Sequence, residues 1–194
     1  MGQPNPSASK IMIIRHAEKP VNSKDPPYGV GPAGLRDDES LTVKGWQRAG
    51  ALVGLFAPHE GQFQSPYLAT PQFVYASKAI PNSDSDSQRP QQTVTPLIQK
   101  LKLDNGRVNF NFCKGDEKFV ATSALACSGV VLICWEHKNI HKIVHHILQH
   151  QKNKISVPKT WPDERFDLVW VFDWDPGAEG YVFHRVDQHL LDGD

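Results

Sequence analysis

The stretch KIMIIRHAEKP, residues 10–20, decides how the rest of the chain is read. Ile11, Met12, Ile13 and Ile14 form an apolar run too short for a useful helix and rich in β-branched side chains. Such a run fits a strand covered on both faces, as in a parallel sheet. Arg15 and His16 follow where that strand leaves the core. In open α/β sheets, ligands bind in the crevice beyond the carboxyl ends of the strands. An Arg-His pair alone could equally open a polar loop, so the flanking segments decide.

Strand-like and helix-like segments alternate downstream. Residues 20–40, rich in Pro, Gly and Asp, read as a long loop. In 41–56, Trp46, Ala49, Leu52, Val53 and Phe56 recur at helical spacing, with Thr42 as N-cap. FVYA, 73–76, is a short strand, and the polar stretch 77–88 is rich in turn residues. Residues 89–101 form a helix with Pro90 in its first turn, where proline is tolerated. Pro96 should kink or shorten it. VNFNF, 108–112, alternates like a strand, and 116–125 form a short helix after Gly115. GVVLICWE, 129–136, is the strongest buried strand. In the helix 137–148, Ile140, Ile143, Val144, Ile147 and Leu148 share one face. Two strands, 166–174 and 181–186, close the chain as an antiparallel pair around the turn DPGAEG. The alternation argues an α/β fold with a mostly parallel sheet. The expected organisation is a disordered lead over 1–9 and a single domain over 10–194, a length that suits one domain.

Composition excludes several functions. Lys+Arg and Asp+Glu are both 21, so no basic face for nucleic acid or anionic membrane is advertised. No apolar stretch approaches the roughly 18 residues of a membrane span. The N-terminus has no apolar signal core, and Pro6 stands where a myristoylation motif wants Ser or Thr. Cys113, Cys127 and Cys134 have no CxxC spacing and read as reduced thiols of a cytoplasmic protein.

The ionisable residues after each strand point to chemistry. Arg15 and His16 follow the first strand, Arg89 the second, Asp116 the third and His137 the fourth. In a parallel sheet these positions share one edge. Two guanidinium groups, two imidazoles and a helix start with free N–H groups suit phosphate binding. Neighbouring cations would lower the pKa of His16 and keep it neutral and nucleophilic near pH 7.

IMIIRHAEKP resembles the Arg-His-Gly signature of the histidine phosphatase superfamily, the phosphoglycerate mutase-like enzymes. LTVKGWQRA is similar to the Leu-Thr, Gly, Ala pattern on that family's first helix. SQRPQQTVTPL resembles its second-arginine segment, and VVLICWEH the strand delivering its second histidine. The four match in order between residues 10 and 150. The resemblance implies a three-layer α/β/α sandwich and a phosphohistidine mechanism. His16 would take the phosphoryl group, Arg15, Arg89 and His137 would hold its oxygens, and water would release it. No metal or organic cofactor is required. The partner would be a small phosphorylated substrate or a phosphoprotein.

Three departures stand out. Ala17 replaces the usual glycine, adding a methyl near the site. The stretch 78–88 is longer than the family's usual link and reads as a solvated loop, or else as a substrate-facing lid. Lys138 follows His137, so the His-Asp pair of the acid phosphatase branch is absent. The proton donor must be sought among Asp116, Glu117, Glu18 and Glu136. Asp116 is the first choice and Glu117 the next, with an N-cap role the competing reading of Asp116. Glu18 could instead orient an arginine, and alternation along a strand would turn Glu136 away from His137. Lys19, Lys78 and Trp135 would form a rim. His137, His141, His145, His146 and His150 crowd one helix at a spacing that could suit a metal, though HKNIH lacks the glutamate of HExxH and reads as a solvated face. A mutase and a non-catalytic phosphate-binding protein are the competing functions.

Overall fold

The computed structural model describes residues 7–149, 151 and 153–194. Its frame is a six-stranded sheet built from β1 (Ala8–Arg15), β2 (Phe73–Ala76), β3 (Val108–Asn109), β4 (Gly129–Trp135), β5 (Leu168–Asp175) and β6 (Gly180–Asp187). The spatial order is β3-β2-β4-β1-β5-β6. The first four run parallel, β5 is antiparallel to β1, and β6 returns antiparallel to β5. The helices α1 (Val43–Phe56) and α2 (Arg89–Leu101) pack together, as do α3 (Glu117–Ala126) and α4 (His137–Leu148).

The apolar run of β1 explains the layering. Successive side chains of a strand point to opposite faces. Ile11 and Ile13 join the core formed with α3 and α4, while Met12 and Ile14 join the core formed with α1 and α2. β4 divides in the same way, Val131, Ile133 and Trp135 against Leu132 and Cys134. With both faces covered, the central stretches of both strands, 11–14 and 129–135, must be apolar, as their sequences are.

Some segments differ from the sequence expectation. Ala8 and Ser9, read as part of a disordered lead, already belong to β1, whereas residues 1–6 of that lead lie outside the described residues. Lys10 is kept at this exposed end by an ion pair with Asp173 and a hydrogen bond to the Tyr67 carbonyl. β3 is only two residues long, because the chain leaves the sheet after Asn109. α2 runs through Pro96 without a break. Thr42 does cap α1, accepting from the Gly45 N–H at 3.2 Å. Among the described residues, no helix is long and apolar enough to cross a membrane.

Candidate active site

The parallel strands end on one edge, and their C-terminal neighbours build the site. β1 hands over at Arg15 to His16. β4 ends at Trp135, so Glu136 caps α4 and His137 opens it. Arg89 opens α2 on the same edge. A cavity of about 180 Å³ is lined by His16, Lys19, Ser77, Arg89, Lys114, Glu136, His137 and Lys138, and by Asp84, Ser85, Asp86 and Ser87 of the stretch before α2.

Two of the quoted motifs hold the loop that carries His16. The Ala17 N–H donates to Thr93 Oγ1 at 2.9 Å, and the same hydroxyl donates to the Arg89 carbonyl at 2.7 Å. From α1, the Thr42 N–H and hydroxyl donate to the Glu18 carbonyl at 3.0 and 3.3 Å. Gly45 lets the helix come this close: a Cβ there would lie 2.5 Å from the Glu18 carbonyl oxygen. The Glu18 carboxylate accepts from Arg48 Nη2 at 2.8 Å, and Arg48 also donates to Asp194 at 2.6 Å and to Gln188 Oε1 at 3.1 Å. Glu18 therefore orients an arginine, as its position suggested, and does not line the cavity.

His16 is nearly enclosed, with 5% of its surface exposed. Its Nδ1 lies 2.8 Å from the Ala17 carbonyl oxygen. A carbonyl only accepts, so Nδ1 carries the hydrogen and Nε2 keeps the free lone pair of the neutral ring. Burial, opposed by that hydrogen bond and reinforced by Arg15, Arg89 and His137, holds the pKa well below the usual 6.5. Arg15 is pushed down to about 10 by burial, against the pull of Asp163 and Glu164. Its guanidinium lies 3.7 Å over the Phe166 ring and donates to the Asp163 carbonyl, so it stands behind the cavity wall and does not line it. Arg89 donates to the Asp38 carbonyl at 2.9 Å and to Glu39 Oε2 at 3.0 Å. His137 Nε2 lies 3.3 Å from Asp163 Oδ1, and burial followed by Arg15 lowers its pKa. Arg15 Nε, Arg89 Nε and His137 Nδ1 are buried with no partner among the described residues. Leaving such groups unmet costs about 1–3 kcal/mol each.

The acid candidates need correction. Asp116 does not line the cavity: its carboxylate turns back to accept from the Cys113 N–H at 3.0 Å and thiol at 3.1 Å. The backbone bond lowers its pKa, which suits a structural carboxylate better than a proton donor. Asp116 does not cap α3 through its side chain either. Glu117 is buried, accepting from Trp135 Nε1 at 3.2 Å and the Gly115 N–H at 3.1 Å. Glu136 does enter the cavity, because strand alternation stops at Trp135 and the chain has turned into a helix cap.

Other expectations change for similar reasons. Trp135 is core rather than rim, at 1% exposure, and Lys78 is exposed outside the cavity, leaving Lys19 as the rim residue that lines it. Within the 78–88 stretch, residues 84–87 line the cavity, while Lys78, residues 80–84 and Gln88 are exposed, as a solvated loop would be. The Ala17 methyl packs with Leu41, Ala49 and Trp46, away from the cavity. His141 and His145 face solvent, and His150 lies outside the described residues. Among the described residues, no three metal-binding side chains are grouped. The sequence reading missed Asp163 and Phe166, which carry no periodic signal in the charged run WPDERFD, and Asp38 and Glu39 in the long loop.

The fold, a six-stranded, mostly parallel sheet with four helices, is shared with solved histidine phosphatases, in line with the fold the resemblance implied. Among solved structures, the chain is similar to the protein histidine phosphatase SixA complexed with tungstate: 14% identity, TM-score 0.55, 92% of this chain and 97% of that one. It is also similar to the protein assigned as the phosphohistidine phosphatase SixA of Nakamurella multipartitia, at 15% identity and TM-score 0.51, covering 94% of this chain and 96% of that one. No family model and no curated protein matches the chain.

Proposed function

We propose that the protein is a phosphatase that hydrolyses a phosphomonoester or a phosphoprotein through a phosphohistidine intermediate on His16. The observation that carries this reading is the state of the His16 ring: Nδ1 is committed to the Ala17 carbonyl and Nε2 is left as the nucleophile. Three side chains around it, Arg15, Arg89 and His137, each keep a buried nitrogen without a partner. Phosphoryl transfer needs positioning and charge stabilisation at the equatorial oxygens, and these groups are suited to supply both. The likeness to the SixA phosphatases favours a phosphorylated protein as substrate. The three cysteines are unpaired, in keeping with a reducing, cytoplasmic setting.

The mechanism follows from these groups. The phosphoryl group enters with its oxygens toward Arg89 and His137, which line the cavity, while Arg15 adds positive charge from behind the wall. The charge of the phosphoryl group favours protonation of His137, whose second nitrogen then donates as well. Nε2 of His16 attacks phosphorus in line with the leaving oxygen, and water releases the phosphate in a second displacement. Trapping tests this: the protein is mixed with p-nitrophenyl phosphate, quenched in alkali, where phosphohistidine survives, and mapped by mass spectrometry. Phosphate on His16 is expected; label on His137 or on a serine would reassign the nucleophile.

Two further outcomes are expected. Because burial depresses the His16 pKa, the acidic limb of kcat/KM should lie below pH 6.5. A limb at or above that value would mean that His16 is not the group titrating. Arg89→Lys should lose about a hundredfold in kcat despite keeping its charge, since an ammonium cannot reproduce a bidentate grip on the transferring group. Near-normal turnover in that variant would remove Arg89 from the phosphate site.

A further inference from the structure

A phosphoryl group in transfer spreads its charge over three equatorial oxygens. Of the side chains expected to hold them, Arg89 and His137 line the cavity, whereas Arg15 stands behind its wall. One oxygen is left without a donor from that set. Among the described residues, six buried side-chain nitrogen or oxygen atoms make no hydrogen bond. Arg15 Nε, Asn153 Oδ1 and Trp170 Nε1 belong to residues that do not line the cavity. The others, Arg89 Nε, His137 Nδ1 and Ser87 Oγ, belong to residues that do. Two of these are the groups already turned to phosphate, and the third is a serine hydroxyl.

Lining alone would not single out Ser87, because Ser77 and Ser85 line the cavity as well. Of the three serines, Ser87 alone has a hydroxyl that is both buried and unmet. Native proteins rarely leave such a group unmet without a functional reason. The backbone holds Ser87 from both sides: the Asp86 N–H donates to the Ser83 carbonyl at 3.2 Å, and the Gln88 N–H to the Glu39 carbonyl at 3.1 Å. Gln88 Nε2 also donates to Asp37 Oδ2 at 3.1 Å. The same loop holds the Arg89 guanidinium, through the Asp38 carbonyl and Glu39. Ser87 and Arg89 are thus set on one frame. Gln88, the N-cap of α2, makes no side-chain capping bond, so the positive end of that helix stays open beside Ser87.

Resting on the phosphatase reading above, we infer that Ser87 is a further ligand of the phosphoryl group. Its hydroxyl donates to the equatorial oxygen that Arg89 and His137 leave free. A hydroxyl hydrogen rotates to suit its acceptor, so the donor can follow the oxygen as the group passes from ester to histidine. The hydroxyl keeps its proton throughout. The ligand comes from the 78–88 stretch that lengthens the link before Arg89.

Ser87→Ala tests the assignment through binding, turnover and stability. The Kd for tungstate, a phosphate analogue, should rise about tenfold by isothermal titration calorimetry. For p-nitrophenyl phosphate, kcat/KM should fall about ten- to thirtyfold, the usual weight of a hydrogen bond to a charged group. The melting temperature should hold or rise, because the substitution deletes a buried hydroxyl that lacks a partner. A hydroxyl that merely supports the fold would do the reverse, lowering the melting temperature and leaving tungstate affinity intact. That result would overturn the proposal, as would phosphate trapped on Ser87 itself. Alkaline trapping on wild type separates the ligand proposal from the reading beneath it. Phosphohistidine at His16 with unchanged tungstate binding in Ser87→Ala keeps the phosphatase and removes Ser87 from the site. Absence of phosphohistidine from wild type overturns the phosphatase reading. Tungstate binding, which needs no turnover, then decides Ser87 by itself: a weaker variant upholds it as an anion ligand, and an equal one removes it. Wild type that binds no tungstate would overturn both.

Discussion

His16→Ala is expected to lower hydrolysis of p-nitrophenyl phosphate by at least about a hundredfold, since losing a covalent nucleophile costs several kcal/mol of barrier. The ring makes one described hydrogen bond, from Nδ1 to the Ala17 carbonyl. The loop behind it is held separately through the Ala17 N–H and the Glu18 carbonyl. Folding should therefore survive, although the side chain is buried and not exposed at a strand end. His16→Gln, which keeps more of the volume, should be equally inactive. Circular dichroism and thermal melting establish the fold. Activity above about a hundredth of wild type in a folded variant would reject His16 as nucleophile.

Arg48→Ala carries the largest expected effect on stability. The Arg48 side chain is 3% exposed and bridges Glu18 and Asp194. Removing it leaves two largely buried carboxylates facing each other without a cation. Breaking such a buried pair costs about 3–5 kcal/mol, a fall of roughly 10 °C or more in Tm for a chain of this length. Asp194 gives the effect a pH signature. Burial works to raise its pKa, but bonds from Arg48 and from the Leu190 and Leu191 N–H groups hold it well below the usual 3.8. A depressed carboxylate contributes stability that is full above the unfolded value and lost as the pH falls through the folded one. The gap between wild type and variant should thus be wide at pH 7 and narrow only in acid below 3.8. Urea titrations at several pH values measure it, and a gap that is small and flat across pH would remove Arg48 from the framework.

The sheet's centre was readable because its strands are buried on both faces. Residues 11–14 and 129–135 have no polar interruption, and an apolar run of that length has few alternatives. The edges were harder. Ser9 and Lys10 look like loop, and become strand through a distant partner, Asp173, that no local pattern announces. Asn111 and Phe112 alternate well, yet β3 stops at Asn109, since pairing with β2 ends there. Site residues divided similarly. His16, Arg89 and His137 follow strands or open helices, so element order alone brought them to one edge. Asp38, Glu39 and Asp163 reach the site from irregular loops whose course is set by tertiary contacts. Asp116 failed for a local reason: after the third strand the chain curls so that its carboxylate meets Cys113 first.

The hydroxyl of Thr93 has a mechanical consequence. By accepting from Ala17 and donating to the Arg89 carbonyl, one oxygen rivets the loop that carries His16 to the first turn of α2. A shift of that helix would carry both along together, so the span between the His16 loop and the Arg89 backbone is tied at a single hydroxyl. Under the phosphatase reading proposed above, that tie would fix the nucleophile relative to the arginine that faces the phosphoryl group.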